Sequence, residues 1–191
     1  TPLTDAARLG HVDCMEFLLE CNGNVNHKNA SGASVLHVAA AFDKRDAVKL
    51  LLDTGADVNT IDNDGCSPLH DCAAKDLGIM LSMLLPHHWN AEVQDNEGYT
   101  ALHYAVSNRK IKTAMILLEH GVNMDAADRH GRTPLHYGAN GGMDDMVDLL
   151  CRNDCKVDDE DEEGDTALHG AALAGHADTV KMLLQFGAVF P

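Results

Sequence analysis

His37, His70, His103, His136 and His169 are the side chains in this sequence best suited to chemistry. An imidazole can move a proton near neutral pH, orient a nucleophile or bind a metal ion. Each histidine sits in a run of one form: SVLHVAA from Ser34, SPLHDCA from Ser67, TALHYAV from Thr100, TPLHYGA from Thr133 and TALHGAA from Thr166. Cys151 and Cys155 lie four apart near a helix end, with His136 nearby, which raises the question of a metal site. The pairs of closely spaced ligands that make a four-ligand zinc site are not there. No Gly-x-Gly-x-x-Gly follows a strand, and there is no phosphate loop and no Gly-x-Ser-x-Gly elbow. Asp144, Asp145 and Asp148 read most simply as a solvated helix face.

Spacing decides what the histidines are for. With TPLTDAA at Thr1 included, the runs begin at 1, 34, 67, 100, 133 and 166, each 33 residues after the last. The same period returns in the leucine pairs Leu18-Leu19, Leu51-Leu52, Leu84-Leu85, Leu117-Leu118 and Leu183-Leu184, with Leu150-Cys151 in the fifth copy. It returns again in Gly32, Gly65, Gly98, Gly131 and Gly164. A repeat of this length is a solenoid in which each unit is one layer. Five histidines in five layers cannot converge on one ion or one substrate. Each is expected to be buried or half-buried, bonded to backbone or hydroxyl in the turn beside it. No catalytic residue, metal or cofactor is expected, and the chain does not read as an enzyme.

The elements follow from local chemistry. Thr1, Ser34, Ser67, Thr100, Thr133 and Thr166 cap the free amides of a first helix. Pro2, Pro68 and Pro134 follow at its first position, where no N–H is needed. Ala39, Ala40, Ala73, Ala105 and Ala172 keep this helix thin enough for close neighbours. A second helix carries an apolar side, such as Ala47, Val48, Leu50, Leu51 and Leu52. Gly55, Gly121 and Gly187 close it as left-handed caps, with Asn22, His88 and Asp154 in the same place. Asp62, Asp95, Asp128 and Asp161 stand three before a glycine, a tight turn at the tip of a finger.

These residues carry a resemblance. Threonine-proline-leucine-histidine, the following alanines, the apolar leucine pair and Gly55-Ala56-Asp57-Val58-Asn59 resemble ankyrin repeats, in six copies over the whole chain. The resemblance implies an all-α ankyrin-repeat solenoid of helix-turn-helix units with β-hairpin-like fingers, a single domain over 1–191. It also implies a non-catalytic protein-interaction module, with finger tips and first helices lining one concave face. The side chains placed there, which the repeat itself does not need, are Phe42, Ile61, Asn63, Tyr99, Asn108, Arg129, Arg132, Asn140, Glu160, Glu162 and Asp165. Phe42, Ile61 and Tyr99 are expected to be exposed. The other reading is a regulatory or tethering segment of a larger channel or enzyme whose activity lies outside this stretch. Asp57-Val58-Asn59, and less closely Asn26, resemble asparagines hydroxylated in such repeats; the competing reading is that they only hold the finger by hydrogen bonds.

Composition narrows the partner. Net charge is −16 with histidine neutral, and no basic stripe is visible, which argues against nucleic acid and for a protein partner with a basic segment. No stretch is long enough to insert in a membrane. Six scattered cysteines suit a reducing compartment, cytoplasmic or nuclear, and a monomer is expected rather than an obligate oligomer. Thr1 already caps a helix, Pro191 aligns with the finger residues Asn26 and Asn59, and Leu173, Ala174, Val180, Phe186, Val189 and Phe190 make no polar cap. The chain is therefore expected to be a piece of a longer protein.

Two copies depart from the pattern. In the third, Pro86 stands at the end of the second helix, and Trp89 takes a place held elsewhere by Gly23, Ala56, Val122, Cys155 and Ala188. A shortened helix with Trp89 folded outward over a neighbour is expected; His87, His88 and Trp89 as a contact site is the alternative. In the sixth, DDEDEEGD over 158–165 is either a solvated tip or a site for Lys and Arg of a partner.

Overall fold

Helices pair within each unit, and the pairs stack. In the computed structural model, which describes residues 1–189, the pairs are α1 (Pro2–Leu9) with α2 (Val12–Glu20), α3 (Val35–Ala41) with α4 (Arg45–Asp53), and α5 (Pro68–Ala74) with α6 (Gly78–Leu84). They continue as α7 (Ala101–Ser107) with α8 (Ile111–Glu119), α9 (Pro134–Asn140) with α10 (Asp144–Arg152), and α11 (Ala167–Leu173) with α12 (Ala177–Gln185). Odd-numbered helices form one layer and even-numbered helices the other, each packing on its counterpart in the next unit. Contact is sparsest between α4 and α6. The expectations that rest on Phe190 and Pro191 lie outside the described residues.

Capping explains where the odd helices begin. Ser34 Oγ accepts from the His37 N–H, and His37 Nδ1 accepts from the Ser34 N–H at 3.1 Å. This is a capping box with histidine in the place usually held by Glu or Gln. Thr100 with His103 repeats both bonds, and in Ser67 with His70, Thr133 with His136 and Thr166 with His169 the imidazole Nδ1 again accepts from the cap N–H.

The even helices end in the left-handed turns that the residue types suggested: φ is 87° at Gly55, 63° at Asn22, 54° at His88 and 64° at Asp154. A second left-handed series was not foreseen. It joins the two helices of each pair at Gly10, Asp43, Asp76, Arg109, Gly142 and Gly175. Only three of the six are glycine, so no single letter marks the place. Asp76, in one of these turns, and Asp144, two residues after another, accept the buried Thr113 and Thr179 hydroxyls at 2.8 and 2.6 Å.

The core is a double ladder. Leu36, Leu69, Leu102 and Leu135 run up the odd layer, and Leu51, Leu84, Leu117, Leu150 and Leu183 up the even one, all buried. Each is worth about 1.5–3 kcal/mol of removal from water. Ala39, Ala40, Ala73 and Ala105 are buried between odd helices as expected. Ala172 is exposed instead, because among the described residues nothing lies against that side of α11.

In the third unit α6 stops at Leu84, two residues earlier in the repeat than α4 or α8. Leu85 is still buried, and Trp89 is not turned outward as expected but half-buried against the core, where its apolar ring leaves water. His87 and His88 remain exposed. The fingers hold no strand among the described residues, only one antiparallel bridge between Lys28 and Ser34.

Candidate partner-binding face

Each finger tip is built around its aspartate. Asp128 Oδ1 accepts from the N–H groups of His130 and Arg132 at 2.8 and 2.9 Å, and Asp62, Asp95 and Asp161 do the same for their own tips. The tips then lean on one another. Asn63 N donates to Ser31 O, Asn96 N to Asp64 O, Arg129 N to Glu97 O and Glu162 N to His130 O, at 2.8–3.0 Å. The tip glycine serves both steps. At Gly131 φ is 78°, and an added Cβ would sit 2.9 Å from Glu162 N of the next finger.

The histidines stitch the same layers. Because Nδ1 accepts from the cap N–H, Nε2 carries the proton and donates to the next unit. His37 reaches Cys66 O at 2.9 Å, His70 reaches Tyr99 O at 3.0 Å, and His103 and His136 reach Arg132 O and Asp165 O at 3.1 Å. The expected bond within the turn is present, but half of each imidazole's work lies between layers. Burial lowers the pKa of His37, His70 and His103, partly opposed by the carbonyl bond. They are neutral structural donors.

A tyrosine network occupies the middle of this side. Tyr104 donates to Asp95 Oδ2 at 2.8 Å, so Cys66 Sγ, 3.3 Å away, donates to the Tyr104 oxygen. Tyr137 donates to Asp128 Oδ2 at 2.6 Å, and Tyr99 in turn donates to Tyr137 at 2.9 Å. The Tyr99 ring packs edge-on to Tyr104 and Tyr137, with centroids 6.1 and 5.6 Å apart. Arg132 binds Asp128 at 3.0 Å, and its guanidinium lies 4.9 Å from the Tyr137 centroid. Burial pushes the Asp128 carboxyl up, but the bonds from Tyr137, Arg132 and His130 outweigh it and hold it below the usual value. Burial moves the Cys66 thiol up to about 11 and raises Tyr104 and Tyr137 as well. The cluster is therefore a closed chain of protonated donors ending on Asp95 and Asp128, an ordered surface and not a set of nucleophiles.

The candidate side chains are spread over this frame. Phe42 and Ile61 are 53% and 45% exposed, in separate layers. Tyr99 is only half-buried where exposure was expected, because its ring and hydroxyl are engaged by the other two tyrosines. Tyr99 and Asn108 share a groove of about 240 Å3 with His103, Tyr104 and Ser107. Arg132 is held by Asp128, whereas Arg129 is exposed and only 3.9 Å from the equally exposed Glu97. Asn63 Nδ2 donates to Ala30 O, so this side chain also serves the finger ladder. Asn140 is exposed at the end of α9, and its carbonyl accepts from His176. Glu160, Glu162 and Asp165 are exposed on the sixth finger. Asn26 Oδ1 accepts from Asp57 N at 2.9 Å, and Asn59 Oδ1 accepts from Asn90 N. Both asparagines thus join consecutive fingers by hydrogen bonds.

Sequence reasoning missed Tyr104, Tyr137 and the second carboxylate oxygens of Asp95 and Asp128. A signal was present: tyrosine follows the histidine in only the fourth and fifth copies, nine residues after the tip aspartate.

Stacked helix pairs with fingers at a 33-residue period define a helical repeat solenoid, a class whose continuous side surface is its means of recognition. The family model for ankyrin repeats matches residues 1–62, 36–128, 70–161 and 123–190, and the chain belongs to the ankyrin repeat family. Members are generally protein–protein interaction modules and typically non-catalytic. No curated protein matches the chain. No helix among the described residues is long and apolar enough to cross a membrane.

Proposed function

We propose that this chain is a non-catalytic interaction module that holds a protein partner with a basic segment on the concave side lined by fingers and odd-numbered helices. The observation that carries this reading is the groove between Tyr99 and α7, walled by Tyr104, Ser107 and Asn108. Tyrosine and arginine dominate many protein interfaces, and here they gather in the fourth and fifth units. Exposed Glu160, Glu162 and Asp165 extend the side with negative charge, in a chain of net charge −16. The six scattered cysteines support a reducing compartment, cytoplasmic or nuclear.

The test is affinity capture with this chain, followed by calorimetry of variants against the captured partner. Asn108→Ala and Arg129→Ala each cost on the order of 1–3 kcal/mol of affinity at an interface centre. Lys49→Ala and Lys112→Ala, on the even-numbered helices, cost nothing measurable. Neutralising Glu160, Glu162 and Asp165 together weakens binding and flattens its salt dependence. The reverse pattern, with even-helix changes weakening binding and the others silent, overturns the assignment.

A further inference from the structure

We propose that Cys151 and Cys155 form a modification site, a buried dithiol that a small hydroperoxide converts to an intramolecular disulfide. The two Sγ atoms lie 3.9 Å apart. Cys151 is in the last turn of α10, and Cys155 follows the left-handed Asp154. The backbone places them: Cys155 N donates to Leu150 O, as Ala56 N does to Leu51 O and Ala188 N to Leu183 O at the same point of other units. A turn that the fold repeats thus brings the two backbone positions together, and the side-chain rotamers set the distance between the sulfurs. At the two matching positions the other units carry Leu19 with Gly23, Leu52 with Ala56, Leu85 with Trp89, Leu118 with Val122 and Leu184 with Ala188. Only the fifth unit has a thiol at either place, and it has one at both. Packing alone does not ask for the pair, since leucine and alanine fill these positions elsewhere.

Geometry also selects the chemistry. No group of three or more His, Cys, Asp or Glu able to hold a metal occurs among the described residues, so the pair has no further ligands to complete a zinc site. Bond formation needs the sulfurs to close from 3.9 Å to ~2.05 Å. Cys151 and Cys155 are 6% and 8% exposed, so the oxidant proposed is a small one, hydrogen peroxide, rather than a bulky disulfide. Cys151 accepts the S–H of Cys155, which favours its thiolate, while burial and then the charge of Asp148 oppose it. In the first step the Cys151 thiolate attacks one peroxide oxygen. An S–O bond forms, the O–O bond breaks, and hydroxide leaves and is protonated to water. In the second step Cys155 attacks the sulfenic sulfur. The S–S bond forms, the S–O bond breaks, and hydroxide departs with the Cys155 proton as water. Two thiols lose two electrons, and one peroxide becomes two waters. The product ties the end of α10 to the residue three positions before the acidic run at 158–165.

The experiment treats the reduced protein with hydrogen peroxide, blocks free thiols and digests with trypsin. Cleavage after Arg152 puts the two cysteines on separate peptides, so a disulfide is read as a linked pair that a phosphine reductant separates. Exposed Cys14 and Cys21 report how much oxidant was delivered. The linked pair is expected, with buried Cys72 unmodified. In Cys155→Ala, which copies the alanine of the second and sixth units, the link disappears and Cys151 accumulates as a sulfenic acid trapped by a dione reagent. Cys151 and Cys155 recovered as free thiols while Cys14 and Cys21 are oxidised would overturn the proposal. So would a link from Cys151 to Cys14 or Cys21, or a Cys151 that stays a thiol in Cys155→Ala.

Discussion

His103 Nε2 donates to the carbonyl of Arg132, 29 residues ahead and one layer on, at 3.1 Å. The same ring accepts from Thr100 N with Nδ1, so one neutral imidazole both caps a helix and joins two units. His103→Ala breaks both bonds and leaves buried groups without partners, at about 1–3 kcal/mol. His169 makes only the capping bonds among the described residues, so His169→Ala costs less. Urea unfolding of the two variants measures the difference. Equal losses would mean that the bond between layers adds nothing.

Acid reads out the same residues. His37, His70 and His103 have pKa values lowered from 6.5 by burial. Below that value the unfolded chain takes up protons that the folded chain resists. Their contribution is therefore complete above pH 6.5 and is lost as pH falls through the lowered values. The urea midpoint of His103→Gln should fall less steeply between pH 7 and pH 5 than that of the parent. A steeper fall would contradict the neutral assignment.

Gly131 and Gly164 test whether the finger stack or the turn needs glycine. Both have positive φ, 78° and 82°. Alanine at either meets the left-handed penalty of roughly 1–2 kcal/mol. Only at Gly131 does the Cβ also meet the next finger, at Glu162 N; at Gly164 nothing lies within 4 Å. Thermal denaturation should show Gly131→Ala as the more damaging change. If both lose the same stability, finger contact imposes no requirement of its own.

Tyr137 and Asp128 are coupled. Tyr137→Phe removes the 2.6 Å bond to a carboxylate that is nearly all buried, at about 1.5–3 kcal/mol for a bond to a charged group. A double-mutant cycle with Asp128→Asn should return a coupling energy well above zero. Additive losses would reduce the network to packing.

The third unit should open first. With α6 two residues short and contact between α4 and α6 sparse, amide hydrogens over 78–92 should exchange faster than those over 45–54. Mass spectrometry of exchanged peptides decides it, and slower exchange there would refute the idea.

What the sequence by itself determined is everything with short reach. Thr100 capping α7, Pro134 at the start of α9, Asp128 turning its tip and Asp154 taking a left-handed φ depend on groups within about four residues. Residue type and spacing are enough for such contacts, and the 33-residue period then gives the layering. The tertiary structure alone decided where the second ring nitrogen of each histidine goes, why Tyr99 is drawn inward, and that Cys155 faces Cys151. The first two join residues 29 and 38 apart, across neighbouring layers. Such a partner depends on the rise and rotation from one unit to the next, which the summed packing of the leucine ladders sets. The third spans only four residues, but a spacing of four does not say which way two side chains point after a left-handed turn.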